Sequence, residues 1–161
     1  VTAGRVVWVG GSYPRLRRDI TRNLRRGSAE LAAAGYRARV RFDRHPDALA
    51  VQRPDIAQAY KERNAAAWRD IDEDWFDTTW AQAAELATLR IGGQLAAWAL
   101  GQDGPSVYRV LAGQMVPGWE RYRPGRLLEA VLVARVATDP AFPVLDWGPG
   151  HPGALLTRPG R

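Results

Sequence analysis

The sequence predicts an α/β fold, a mixed and mainly antiparallel sheet flanked by helices. Three observations carry that prediction. Two stretches before residue 70 repeat apolar residues at helical spacing. Three short apolar runs between Leu86 and Gly113 are separated by glycine-rich breaks. A strongly apolar helical segment, Leu127–Ala137, then precedes one more strand, "FPVLDW". The order of strand, two helices, three antiparallel strands, helix and strand is not that of a doubly wound nucleotide fold.

Taken along the chain, "RVVWVGGSYP" opens with a short apolar run and breaks at Gly10, Gly11 and Pro14. It fits an N-terminal strand or the remnant of a preceding domain. From Pro14 to about Ala34 a helix is expected, because Leu16, Ile20 and Leu24 recur every four residues. Arg15, Arg18, Arg22 and Arg25 follow a neighbouring face. Gly27 is placed to interrupt this helix and Gly35 to stop it. "YRARVRFD" alternates apolar residues with arginine, the period of a half-buried strand. His45-Pro46 starts a connector, and a helix is expected from Asp55, as N-cap, to about Trp68. "DIDEDWFDTTWAQAAELA" reads as a second, more acidic helix, with Trp68, Trp75 and Trp80 as core between helices and sheet. "LATLRI", "QLAAWAL" and "VYRVLAG" form a meander, with turns at Gly92-Gly93 and in "GQDGPS". The end, "GPGHPGALLTRPGR", is expected to be irregular.

Composition narrows the function. The 161 residues, 46% hydrophobic and 25% charged, suit one globular domain. No apolar run approaches the ~20 residues of a membrane span, and no secretory signal stands at the start. A cytoplasmic location with no membrane attachment is the expectation. Without cysteine there is no thiolate nucleophile and no cysteine zinc site. His45 and His151 are the only imidazoles and lie far apart, so no metal is expected. Ten arginines against Asp19 and Glu30 give residues 1–41 a charge of +8 within a total of +6. That end presents a positive field to phosphates or RNA.

The stretch "AAWALGQDGPSVYRVLAGQMVPGWERYRPGRLLEA", followed after one helix by "VLDWGPG", resembles the GNAT N-acyltransferase superfamily. Within it, the resemblance is to the branch of CelD-like and FemABX-like proteins, and it spans roughly Ser12 to His151. The basic "PRLRRDITRNLRR" also resembles that branch's helix upstream of the domain. The domain is therefore placed at residues 36–161, after an N-terminal segment 1–35 carrying the basic amphipathic helix, within one compact unit.

The resemblance implies an acyl-CoA co-substrate, acetyl-CoA by default, whose pyrophosphate lies on the loop entering the "RPGRLL" helix. A helix start suits phosphate because its first N–H groups are unpaired and its dipole is positive there. Gly125 matches the loop's final glycine and Leu128 the following core leucine. Arg123 stands where the usual motif has its earlier glycine, and Glu120 at its Gln/Arg position. Arg123, Gly125 and Arg126 are the candidate phosphate contacts. The oxyanion donor falls in Val110–Gly113, with Leu111, Ala112 and Gly113 as cofactor-binding backbone and Gln114 within reach. Tyr108 is read as sheet packing, and Tyr122 as core or a ligand stack. "VYRVLAG" lacks the glutamate that many such enzymes carry; Asp146, at the end of the fifth strand, and His151, just beyond it, are the candidate catalytic residues because strand ends there open toward the ligand cleft.

The implied reaction is transfer of the acyl group from acyl-CoA to a primary amine of a small molecule or amino acid by direct attack. An aminoacyl-tRNA donor, met by the basic helix Pro14–Arg26, is the alternative drawn from FemABX proteins. A non-catalytic binding or partner module is the third. The family's Tyr-Lys pair and two further strands have no counterpart in "HPGALLTRPGR", which makes a homodimer or a partner subunit an expectation.

Overall fold

The computed structural model describes residues 5–9, 13–142 and 144–149, with side chains from Arg17 to Phe142 and from Val144 to Asp146. Strands β1 (Arg5–Val9), β2 (Ala38–Asp43), β3 (Glu85–Ile91), β4 (Gln94–Gly104), β5 (Val107–Met115) and β6 (Val144–Pro149) form one sheet in the order β1-β6-β5-β4-β3-β2. Helices α1 (Tyr13–Ala33) and α4 (Pro124–Ala137) cover one face, and α2 (Pro46–Ala66) and α3 (Glu73–Gln82) the other. The fold class is as expected. Every neighbouring pair is antiparallel except β5–β6, which are parallel because α4 carries the chain across between them.

The core has two layers. Ile20, Leu31, Leu128, Leu132 and Val136 of α1 and α4 press on Ala87, Leu89, Ala97, Tyr108 and Leu145. On the opposite face Leu49, Ile56, Tyr60 and Phe76 of α2 and α3 cover Leu86, Trp98 and Leu100. With both faces covered, β3 is buried along nearly its whole length, and its sequence is correspondingly apolar rather than alternating.

Several expectations are corrected. Gly27 does not interrupt α1, which runs unbroken; a Cβ on Gly27 would lie 2.3 Å from Leu127 Cδ2, so the glycine lets α1 and α4 cross closely. The second helix begins at Pro46, not Asp55. His45 is its N-cap, accepting from the Asp47 N–H (3.2 Å), while Pro46 needs no donor at the first position and Asp47 favours the positive end. Asp55 lies inside α2 and pairs with Arg90 at 3.7 Å. Pro54 is tolerated between turns anchored by buried Leu49 and Ile56.

Helix α3 ends at Gln82, so Glu85–Ala87 is strand rather than helix: pairing to β4 outweighs helical propensity there. β4 continues through "GQDG" and turns at Pro105-Ser106, where Ser106 adopts φ 61°. α4 starts at Pro124, before the expected Leu127. The tryptophan trio is not core: Trp68 is 97% exposed and Trp75 is 43% exposed, leaving Trp80, half-buried and stacked on Phe76. β1 pairs with β6 and α1 packs on α4, so the segment before residue 35 is built into the same sheet and core. The expected irregular end lies outside the described residues beyond Pro149.

Candidate active site

Parallel pairing of β5 with β6 lasts three residues: Val107 with Val144, Tyr108 with Leu145 and Arg109 with Asp146. Beyond that point β6 stays paired to β1, through Gly148 and Pro149, while β5 continues to Met115 on β4 alone. The sheet therefore forks at Arg109 and Asp146. From Val110 onward β5 turns a strand edge of unladdered N–H and C=O groups into the gap.

The gap opens into a cleft of about 620 Å³, the size of a small-molecule site. Leu111, Ala112, Gly113, Arg123, Gly125 and Arg126, singled out from the sequence as cofactor contacts, all line it. Glu120, Gln114 and Leu128 do so too.

The loop from β5 to α4 makes a turn at Gly118 (φ 104°), one 3-10 turn over Glu120–Tyr122, and a left-handed residue at Arg123 (φ 50°, ψ 54°). That conformation favours glycine, and arginine holds it at a steric cost. Pro124 then opens α4. The Arg123 carbonyl accepts from the N–H groups of Arg126 (3.1 Å) and Leu127 (3.3 Å), so Gly125 supplies the first-turn N–H with no intrahelical acceptor. A Cβ on Gly125 would meet nothing nearer than Met115 Cβ at 3.9 Å. The space over Gly125 is thus open, and packing within the protein does not demand a glycine there.

Glu120 is an acid in a basic loop, but it has a structural task. Both its carboxylate oxygens accept from the Gly118 N–H at 3.0 Å, which closes the turn. The Gly118 N–H, first, then its own backbone N–H and more weakly the charge of Arg63 hold its pKa below the usual carboxylate range. Tyr122 packs edge-on to Tyr36 (5.8 Å) and beside Trp119 (6.3 Å), pinning the loop to the start of β2.

The catalytic candidates lie differently. Asp146 is buried at the vertex of the fork, its carboxylate 3.9 Å from Arg109 Nε, and does not line the cleft. His151 lies outside the described residues. Tyr108 is sheet packing, as read, with its hydroxyl donating to Glu85 at 2.8 Å.

Two other cleft residues, Glu129 and Trp98, were not found from sequence. Glu129 of α4 lines the cleft, one turn along the helix from Gly125. Trp98 and Gln114 line it as cross-strand partners on the α2 side. Gln114 donates through Nε2 to Asn64 Oδ1 of α2 (3.0 Å). Only the pairing of β4 with β5 sets Trp98 beside Gln114, and no local sequence signal marks it.

Arginines continue outside the cleft. A hollow of about 190 Å³ joins Asn23, Arg26 and Glu30 of α1 to Arg121, Arg123 and Arg126, so the last two border both spaces. Further along α1, Arg17, Arg18, Thr21, Arg22 and Arg25 line a shallow groove. Among the described residues no helix is long and apolar enough to cross a membrane.

Residues 15–153 match the family model of the acetyltransferase (GNAT) domain. Among solved structures, the chain is similar to the C-terminal domain assigned to a lysylphosphatidylglycerol synthetase of Agrobacterium fabrum, with TM-score 0.65 and 12% identity. It is also similar to L-PGS from Bacillus licheniformis, with TM-score 0.57 and 12% identity. Each match covers 92% of this chain and 46% of the other, so the chain spans less than half the length of either structure. At that identity the likeness concerns the fold. No curated protein matches in sequence.

Proposed function

The chain belongs to the acetyltransferase (GNAT) domain family, and from that membership we propose that its cleft passes an acyl group from an acyl-CoA thioester, acetyl-CoA by default, directly to a primary amine of a small molecule or amino acid. One observation carries the reading. The forked sheet leads straight to a helix start where Arg123 and Arg126 border open space over Gly125. Such a helix start binds anionic oxygens through its N–H groups and dipole, and two guanidinium groups add charge-assisted hydrogen bonds.

In this reading the pyrophosphate rests on the Gly125 N–H and the Arg123 and Arg126 side chains, and the thioester reaches along β5. The amine nitrogen attacks the carbonyl carbon, and the developing oxyanion takes an N–H of the open edge between Leu111 and Gly113. Collapse breaks the C–S bond; the thiolate leaves and is protonated, and the amine gives up a proton. Asp146 and His151 are the proposed proton acceptors. Asp146, set back at the fork beside Arg109, would act through water.

The test is a calorimetric titration with acetyl-CoA, repeated on Gly125→Val and Arg126→Ala. Saturable binding weakened about tenfold or more by each change supports the reading. Absence of binding to the folded wild-type protein overturns it.

A second reading keeps the cleft and changes the donor to aminoacyl-tRNA, as the FemABX-like branch implies. The observation favouring it is the arginine groove on α1, continued by Arg26 to the cleft mouth. Binding of tRNA that falls steeply with salt, and less steeply in Arg22→Ala/Arg25→Ala, would support it.

A further inference from the structure

The wall of the cleft facing α2 contains a pattern that neither the phosphate loop nor the oxyanion edge explains. Registers across β3, β4 and β5 place Thr88 opposite Trp98 and Trp98 opposite Gln114, in one row across the sheet. Each carries a buried polar atom with no hydrogen-bond partner: Thr88 Oγ1, Trp98 Nε1 and Gln114 Oε1. Buried polar groups are nearly always paired, so adjacent orphans mark a place where a partner is supplied from outside. Trp98, 1% exposed, and Gln114 line the cleft; Thr88 lies one strand further in, does not line it and takes no part.

The orientation of the Gln114 amide follows from chemistry. The Asp70 backbone carbonyl can only accept, so Asn64 must turn its Nδ2 to it (3.3 Å) and its Oδ1 the other way. Asn64 Oδ1 needs a donor, and Gln114 Nε2 supplies it at 3.0 Å. Gln114 is left presenting an oxygen. Asn64 is itself buried, 6% exposed, and its position in α2 fixes this relay. The neighbouring indole can only donate. The wall therefore offers one acceptor and one donor on residues whose Cβ atoms, as cross-strand partners, stand roughly 5 Å apart.

We propose that Gln114 and Trp98 form the amine-acceptor subsite, and that the acceptor is a primary amine bearing an oxygen on a nearby carbon, an amino acid or amino alcohol. The inference rests on the reading of the cleft as an acyl-transfer site. Gln114 Oε1 takes one N–H of the amine, and the Trp98 indole N–H donates to the substrate oxygen. A neutral amide is suited to this task. A carboxylate in its place would favour the protonated ammonium, which has no lone pair to attack with.

The experiment titrates isotope-labelled protein, in the presence of acetyl-CoA, with the standard amino acids, ethanolamine, ethylamine and butylamine, following the Trp98 indole N–H resonance. The expected result is a saturable shift with at least one oxygen-bearing amine, about tenfold tighter than with either alkylamine. Gln114→Leu weakens that binding about tenfold while acetyl-CoA binding stays within about twofold. Trp98→Phe, which keeps the packing, removes the preference for the oxygen-bearing amine. The proposal is overturned if no probe moves the indole signal, if alkylamines bind equally well, or if both variants bind as the wild type does. Failure of acetyl-CoA to bind the wild type is a separate result: it removes the acyl-CoA reading, and the amine titration run without it still decides the subsite.

Discussion

Arg135, in the last turn of α4, clasps the carboxylate of Glu85, the wholly buried first residue of β3, through both terminal nitrogens. The same carboxylate receives Arg44 Nε at 2.6 Å and the Tyr108 hydroxyl at 2.8 Å. Arg44 goes on to Asp103 at 2.5 Å, and Arg135 lies over the Phe42 ring at 4.1 Å. One carboxylate thus ties together β3, β5, α4 and the loop after β2, and through Arg44 the end of β4. This cluster pins the C-terminal end of α4, whose N-terminal end carries the candidate phosphate loop.

Removing the charge at Glu85 leaves two guanidinium groups without their shared partner. Glu85→Gln is expected to lower stability by about 1–3 kcal/mol, the cost of losing charged hydrogen bonds at a buried carboxylate, because the two part-exposed guanidinium groups regain water. Urea unfolding at neutral pH measures it; a change below about 1 kcal/mol would mean that solvent compensates the cluster.

Tyr108 makes stability fall at alkaline pH. Burial, first, and then the charge of Glu85 push its phenol well above the ordinary value of 10.0. A raised acid keeps its proton in the folded state after the unfolded chain has lost it. The stabilisation is complete below pH 10.0 and declines as pH rises above that value toward the folded one. Tyr108→Phe should cost about 1 kcal/mol at pH 7 and flatten the alkaline decline. Denaturation curves between neutral and strongly alkaline pH check both parts.

Gly27 should reverse a familiar rule. Alanine for glycine inside a helix ordinarily stabilises by about 1 kcal/mol. Here the new Cβ would fall 2.3 Å from Leu127 Cδ2, so Gly27→Ala is expected to destabilise by about 1–2 kcal/mol. In a Leu127→Ala background the same substitution should regain its stabilising sign. Thermal unfolding of the four proteins in that cycle decides it.

Arg123 trades conformation against charge. Arg123→Gly releases a left-handed arginine (φ 50°) and should raise stability by about 1 kcal/mol. It also removes a guanidinium from the cleft, so acetyl-CoA affinity should fall about three- to tenfold. Unfolding and calorimetry on one preparation would show the two effects moving in opposite directions.

Much of the fold is legible in local pattern. The meander, the apolar α4 and the half-buried β2 follow from period and from glycine breaks, and the "RPGRLL" junction points to the lining of the cleft. The errors share one physical cause. Gly27 reads as a breaker because its packing partner, Leu127, is far along the chain. Glu85–Ala87 reads as helix because only pairing with β4 makes it strand. Three tryptophans read as core by their chemistry, but Trp68 stands in the turn after α2 with φ 55° and Trp75 on a part-exposed side of α3. The place of Asp146 relative to the cleft, which its position at a strand end left open, is likewise a matter of pairing. The pairing of β6 with both of its neighbours sets it at the fork beside Arg109, behind the residues that line the cleft.

The sequence by itself determined the element types, the arginine bias of one end, and the glycine and arginines of the loop, because these depend on residues close together in the chain. Tertiary structure decided where the sheet forks, that Arg123 is left-handed, and that Trp98 and Gln114 share one wall. Strand register and helix crossing join residues far apart in sequence, and burial of both sheet faces is what selects among the pairings that local pattern allows.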